Sequence, residues 1–138
     1  FTPGRLAGLT VGIIGLGSIG GEIAKVMTAL GTRVIGLSRS GNPVDGVEQV
    51  YGVEAIEDFL PECDVLVTVV PQTPETVGLL SRDRLRLLKP SCFYVNIGRG
   101  TIVDLDDITE ALRERRIAGA ALDVFPTEPL PSDHLLWT

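Results

Sequence analysis

The segment Gly15-Leu16-Gly17-Ser18-Ile19-Gly20 has residue types and spacing suited to gripping a pyrophosphate. It follows an apolar run ending at Ile14 and opens a helical pattern at Ser18, which is the context a phosphate-binding glycine loop requires. Gly15 permits the tight turn, Gly17 lets a phosphate approach the backbone, and Gly20 lets the helix pack close to the strand. The free N–H groups of Ser18 and Ile19 then face the phosphates at a helix N-terminus, where the dipole favours an anion. About 20 residues on, a site for NAD carries an Asp or Glu that binds the ribose 2′-hydroxyl. This chain has Ser38-Arg39-Ser40 there instead. The two hydroxyls can donate hydrogen bonds to a 2′-phosphate, and Arg39 can pair with it or stack on adenine. The expected cofactor is therefore NADP, with NAD possible. The plain alternatives are a structural turn at 15–20 and a solvated loop arginine at 39.

These residues need elements to hold them. The pattern predicts a strand from Thr10 to Gly15, a helix from Ser18 to Leu30 stopped by Gly31, and a strand from Val34 to Leu37. A short helix over Val53 to Leu60 follows, then a strand from Asp64 to Val70. Ser81 caps a helix that runs to Leu88, and Phe93 to Ile97 is a strand. Asp104 caps a helix marked by Leu105, Ile108 and Leu112, with Asp106 and Asp107 in its first turn. Ala118 to Val124 closes the series as a strand. Strands apolar on both faces, separated by helices, imply one α/β domain with a doubly wound, Rossmann-type parallel sheet. Ligands of such sheets bind beyond the carboxyl ends of the strands. The informative residues are thus those at and just after Ile14, Leu37, Val70, Ile97 and Val124.

Composition narrows the class. The 138 residues carry a net charge of −6 and are 44% hydrophobic. Acidity argues against a nucleic-acid partner, because phosphate-backbone binding needs clustered Lys and Arg. No apolar run approaches the ~20 residues of a membrane span. Phe1-Thr2-Pro3-Gly4 lacks the basic and apolar blocks of a leader peptide. Cys63 and Cys92 have no neighbours at metal-ligand spacing, so no metal site is expected. They read as small buried residues in a reducing cytoplasm.

Four segments, each at a strand end, together resemble the D-isomer-specific 2-hydroxyacid dehydrogenases. They are 10–20 (TVGIIGLGSIG), 71–76 (PQTPET), 94–100 (YVNIGRG) and 121–131 (ALDVFPTEPLP). Ser38-Arg39-Ser40 resembles the NADP-using glyoxylate and hydroxypyruvate reductase branch. The resemblance implies that Arg99 holds the substrate carboxylate and polarises the oxygen on C2. A guanidinium suits that task through its two-pronged hydrogen bonding, and Gly98 and Gly100 are expected to leave room for substrate. The resemblance further implies that Glu128 pairs with a catalytic histidine and raises its pKa. It places Asp123 on the nicotinamide carboxamide, and Pro71, Thr76 and Ile97 along the cofactor groove.

His134 is the only histidine, but it matches a linker position rather than the family's catalytic one. The acid and the substrate domain are expected to be absent from this chain. The main expectation is the cofactor domain of a reductase that passes a hydride between NADP(H) and C2 of a small 2-keto or 2-hydroxy acid. The full-length protein is expected to be a homodimer. The competing readings are a dinucleotide-sensing, corepressor-like module of the same fold, and a hydrolase with a tightly held NAD. Retention of Arg99 and Glu128 weighs against both.

Overall fold

Thr10–Ile14 (β1) is buried along its whole length and is the strand around which the others are arranged. The computed structural model describes residues 4–138; Phe1, Thr2 and Pro3 of the segment read as lacking leader character lie outside them. From β1 the chain runs into α1 (Ser18–Ala29), β2 (Arg33–Ser38) and β3 (Gln49–Gly52). It continues through the short α2 (Ile56–Phe59), β4 (Val65–Thr68) and α3 (Arg82–Leu85). The last elements are β5 (Phe93–Asn96), α4 (Leu105–Arg113) and β6 (Gly119–Leu122).

All six strands are parallel, in the order β3-β2-β1-β4-β5-β6. Progress along the sheet reverses at β1, which pairs β2 on one side and β4 on the other. That reversal opens a crevice outside the carboxyl ends of β1 and β4, where such folds take their ligands.

Period-two alternation divides the core between the two faces of the sheet. Val11 and Ile13 of β1 join Val34, Val67 and Ala24 of α1 on one face. Ile14, Ile35, Leu37, Leu66 and Tyr94 face the other way, onto Phe59, Leu85 and Ile108 from α2, α3 and α4. Helices therefore cover both faces, as a doubly wound sheet requires.

Four expectations need correction. The helix expected from Ser81 to Leu88 is a single turn, Arg82–Leu85, because the next N–H groups, of Leu87 and Leu88, bond three residues back and tighten the chain into turns before Pro90. Gln49–Gly52 forms a strand that the pattern does not announce, because an edge strand of four half-exposed residues needs no apolar alternation. The helix expected over 53–60 is a single α-turn between 3-10 turns at Val53–Ala55 and Leu60–Glu62; Pro61, which lacks an N–H, stands in the second. The last strand ends at Leu122 and is half-exposed rather than buried on both faces, because it is the sheet's other edge.

The amino-terminal edge of the sheet is locked by ionic contacts. Asp64 accepts the Thr10 N–H at 2.8 Å and pairs with Lys89 at 2.9 Å, joining the starts of β1 and β4. Glu62 accepts from Arg33 at 2.8 Å and also from the Tyr51 hydroxyl, drawing in β2 and β3. Burial pushes the Asp64 carboxyl up, but the Thr10 N–H and Lys89 outweigh it and hold the group below its ordinary value. Glu62 is likewise held low, by Tyr51 first and then Arg33.

Both groups have folded-state values depressed below their ordinary values of 3.8 and 4.5. The stability they contribute is therefore complete above those values and lost as the pH falls through the depressed ones. Denaturant titration of the wild-type domain from about pH 6 to about pH 3 should show this acid loss, and Asp64→Asn should flatten it while lowering stability at neutral pH.

Candidate functional site

At the carboxyl edge the crevice between β1 and β4 deepens into a cleft of about 700 Å³, within the range of small-molecule sites. Its floor is Gly15 and Gly17; one wall is Ser38, Arg39 and Ser40, and the opposite wall is Pro71, Thr73, Glu75 and Thr76. The glycines explain how the floor is made. Gly15 has φ +101°, a left-handed conformation that turns the chain sharply from β1 toward α1. A Cβ on Gly20 would lie 1.8 Å from the Gly15 carbonyl oxygen, so α1 abuts the end of β1 only because that atom is missing. A Cβ on Gly17 would meet nothing within 4 Å, which leaves open space where a pyrophosphate needs to approach.

Gly17 caps α1 without any side-chain hydrogen bond, and the first N–H to find a helical partner is that of Gly21, bonded to the Gly17 carbonyl at 2.8 Å. The N–H groups of Ser18, Ile19 and Gly20 precede it and lack intrahelical acceptors. Together with the open space at Gly17, these donors fit a dinucleotide pyrophosphate.

The wall after β2 is polar and pre-shaped. Ser38 Oγ accepts the Gly41 N–H at 3.1 Å, and Ser40 Oγ accepts the Asn42 N–H at 3.2 Å. Each hydroxyl keeps its own proton to donate. Arg39 is exposed and makes no ion pair within 4.0 Å among the described residues. On the facing wall Thr76 Oγ1 accepts the Thr73 N–H and donates to the Pro71 carbonyl, both at 2.8 Å, so Thr76 shapes the groove from within. Local sequence did not reveal that Asn42, Thr73 and Glu75 also line this cleft. Glu75 is held below the usual carboxylate range by its own backbone N–H, then by the Thr73 hydroxyl, with Arg39 across the cleft adding to the effect.

Ile97, Arg99, Asp123 and Glu128 lie outside the cleft wall but along the same edge of the sheet. Asn96 pairs with Leu122 across β5 and β6, so Ile97 and Asp123 leave the sheet side by side, with the Asp123 N–H on the Asn96 carbonyl at 3.0 Å. Arg99 is exposed, contacts the Gly98 carbonyl through Nη1 at 2.9 Å, and has no carboxylate partner among the described residues. Glu128 accepts the Phe125 N–H at 3.0 Å. The Phe125–Pro126 backbone in turn presses on Gly100, where a Cβ would lie 2.2 Å from Phe125 C. The fold thus brings the segments bearing Arg99 and Glu128 into contact.

Gly98 and Gly100 do not serve the purpose expected of them. A Cβ on Gly98 would fall 2.9 Å from the Val70 carbonyl oxygen, and one on Gly100 would strike the 125–126 backbone. Their bareness makes room for neighbouring main chain, not for substrate. His134 is tied into the tail, where its Nδ1 accepts the Leu136 N–H at 3.2 Å.

A parallel sheet of this order, with a glycine loop at its reversal point and free helix N–H groups above it, defines a dinucleotide-binding domain of the oxidoreductase kind. The model of the D-isomer specific 2-hydroxyacid dehydrogenase NAD binding domain matches residues 1–138, and the chain belongs to that family. It is 44% identical over 134 residues to a glyoxylate reductase of Aeropyrum pernix, covering 96% of this chain and 39% of that protein. It is 38% identical over 135 residues to glyoxylate/hydroxypyruvate reductase A of Serratia proteamaculans, covering 98% of this chain and 43% of the relative. Among solved structures, a D-isomer specific 2-hydroxyacid dehydrogenase from Xanthobacter autotrophicus in complex with NADPH and MES superposes with a TM-score of 0.93 at 38% identity. That match covers 100% of this chain and 44% of the other. The chain therefore spans less than half the length of these relatives.

The two loop glycines make separable predictions. Gly17→Ala adds a methyl to open space, so it should leave thermal stability nearly unchanged while weakening dinucleotide binding by about tenfold or more. Gly20→Ala forces α1 off the strand and should lower stability by about 1–3 kcal/mol. Melting curves with and without cofactor distinguish the two.

Proposed function

We propose that this domain binds NADP(H) in preference to NAD(H) and serves a parent enzyme that reduces a small 2-keto acid of the glyoxylate or hydroxypyruvate type. The observation that carries this reading is Arg99, an exposed guanidinium without a carboxylate partner among the described residues, on the loop that leaves the sheet beside the cofactor cleft. It suits a substrate carboxylate, which a planar guanidinium grips by two parallel hydrogen bonds. When bound, the nicotinamide supplies the hydride. Asp123, next to the end of β5, suits the nicotinamide carboxamide, and Pro71, Thr76 and Ile97 suit the groove that orients the ring. Glu128 suits orientation of a histidine acid contributed, with the substrate domain, by the rest of the parent protein. The names of the relatives support the substrate class, and the NADPH complex of a relative supports the cofactor.

The corepressor-like reading draws no support from these relatives, which are reductases and dehydrogenases by name. No described helix is long and apolar enough to cross a membrane. Two unpaired, buried cysteines suit a reducing cytoplasm. Ile19 and Val26 of α1, and Leu30 at its end, are exposed apolar side chains that suit contact with a second copy in a homodimeric parent. A net charge of −6 speaks against nucleic acid as a partner.

Turnover of glyoxylate with NADPH by the full-length parent tests the reaction. Arg99→Lys keeps the charge but loses the planar fork, so kcat/KM should fall by on the order of 2–4 kcal/mol in transition-state stabilisation, with cofactor affinity nearly unchanged. Wild-type efficiency of that variant with every keto acid tried would return Arg99 to a structural role.

Cofactor choice is read at the end of β2. A charge-assisted contact from Arg39 to the 2′-phosphate should be worth roughly 1.5–3 kcal/mol, or about 10- to 150-fold in affinity. Calorimetric titration should show tighter binding of NADPH than NADH, with strong salt dependence for NADPH alone. Ser38→Asp combined with Arg39→Ala should invert the order. Equal affinities in the unmodified protein would mean that Arg39 takes no part.

A further inference from the structure

Arg99 is exposed and its side chain is long, so its aim depends on how firmly its own peptide is held. The two polar backbone groups flanking that peptide go to one side chain. Asn96 Oδ1 accepts the Gly98 N–H at 3.1 Å, and Asn96 Nδ2 donates to the Arg99 carbonyl at 3.1 Å. Asn96 is 1% exposed, so water does not compete for either contact. A backbone N–H can only donate and a carbonyl can only accept, so the amide has one orientation; flipped, it would set donor against donor and acceptor against acceptor.

That orientation is fixed again from behind. Thr68 Oγ1 donates to Asn96 Oδ1 at 3.0 Å, and lies 3.0 Å from the Tyr94 hydroxyl oxygen. Thr68 has a single proton and uses it on an atom that only accepts, so Tyr94 must be the donor to Thr68. Thr68 and Tyr94 are both fully buried. The chain of donors therefore runs one way, from Tyr94 to Thr68 to Asn96, and ends on the loop bearing Arg99. Behind that loop, Gly98 lies directly against the Val69–Val70 backbone, which blocks retreat toward β4.

We propose that Asn96, held by Thr68 and Tyr94, is the positioning residue that aims Arg99 at the substrate carboxylate. The inference rests on the reading of Arg99 given above. Asn96 itself touches neither substrate nor cofactor; it acts through the Gly98–Arg99 peptide.

The test uses the full-length parent, with glyoxylate kinetics and NADPH affinity measured for single and paired variants. Asn96→Ala should lower kcat/KM for glyoxylate by about 10- to 100-fold, while the NADPH Kd changes by less than about threefold. In an Arg99→Ala background the same change should alter the residual kcat/KM by less than about threefold, because the residue it acts through is gone. An equal loss in both backgrounds would overturn the proposal and leave the reading of Arg99 intact. Unimpaired turnover by Arg99→Ala alone would overturn that reading first, and the proposal with it. Thr68 gives a second route should Asn96→Ala not fold. Thr68→Ser keeps the hydroxyl and should retain kcat/KM, whereas the isosteric Thr68→Val should lose it. The opposite order, with Val tolerated and Ser damaging, would mean that Thr68 matters for packing and would overturn the proposed chain.

Discussion

The site depends on a contact that only a missing atom allows. The Gly20 Cα rests against the Gly15 carbonyl so closely that a Cβ would stand 1.8 Å from the oxygen. This contact presses the N-terminus of α1 onto the carboxyl end of β1, at the place where the sheet order reverses. Were α1 displaced by the width of a methyl group, its unpaired N–H groups would face a different part of the crevice. Everything downstream is registered to that point, because β1 pairs directly with β2 and β4, whose ends carry the two walls of the cleft.

The two edges of the sheet have opposite chemistry. At the amino edge, polar groups are matched: Asp64 with Lys89 and the Thr10 N–H, Glu62 with Arg33 and Tyr51. These pairs fix the starts of β1, β2 and β4, tie in β3 through the Tyr51 hydroxyl, and leave little for a ligand. At the carboxyl edge, Arg39 and Arg99 stand without ion-pair partners among the described residues, and the serine hydroxyls retain their protons. A fold whose polar groups are closed at one edge and open at the other is stable without occupying its own binding site.

The parts legible from sequence were those whose cause is local. The glycine loop announces itself by spacing, and β1 and β4 by apolar runs that no surface strand would carry. Edge elements were harder. Gln49–Gly52 and Gly119–Leu122 bury too little for their side chains to be constrained, so the first went unseen and the second was read as too long and too buried. Gly98 and Gly100 were assigned the wrong purpose because their neighbours, the Val69–Val70 and Phe125–Pro126 backbones, come from distant parts of the chain. Asn96 drew no notice for a similar reason. An asparagine at a strand end is ordinary, and only the fold shows that its amide is buried and holds both sides of the Gly98–Arg99 peptide.

Charge within the cleft bears on how cofactor choice is set. A carboxylate at the end of β2 would repel a 2′-phosphate and bind a ribose hydroxyl, and that position holds Ser38 instead. Among the described residues that line the cleft, the carboxylate is that of Glu75, on the other wall. Glu75 is exposed, and the attraction between it and Arg39 across the cleft is solvent-screened and weak. A 2′-phosphate would offer Arg39 more charge than the single carboxylate of Glu75 does. The proposed preference for the phosphorylated dinucleotide therefore rests on the exposed Arg39 and on a hydroxyl, rather than a carboxylate, at Ser38.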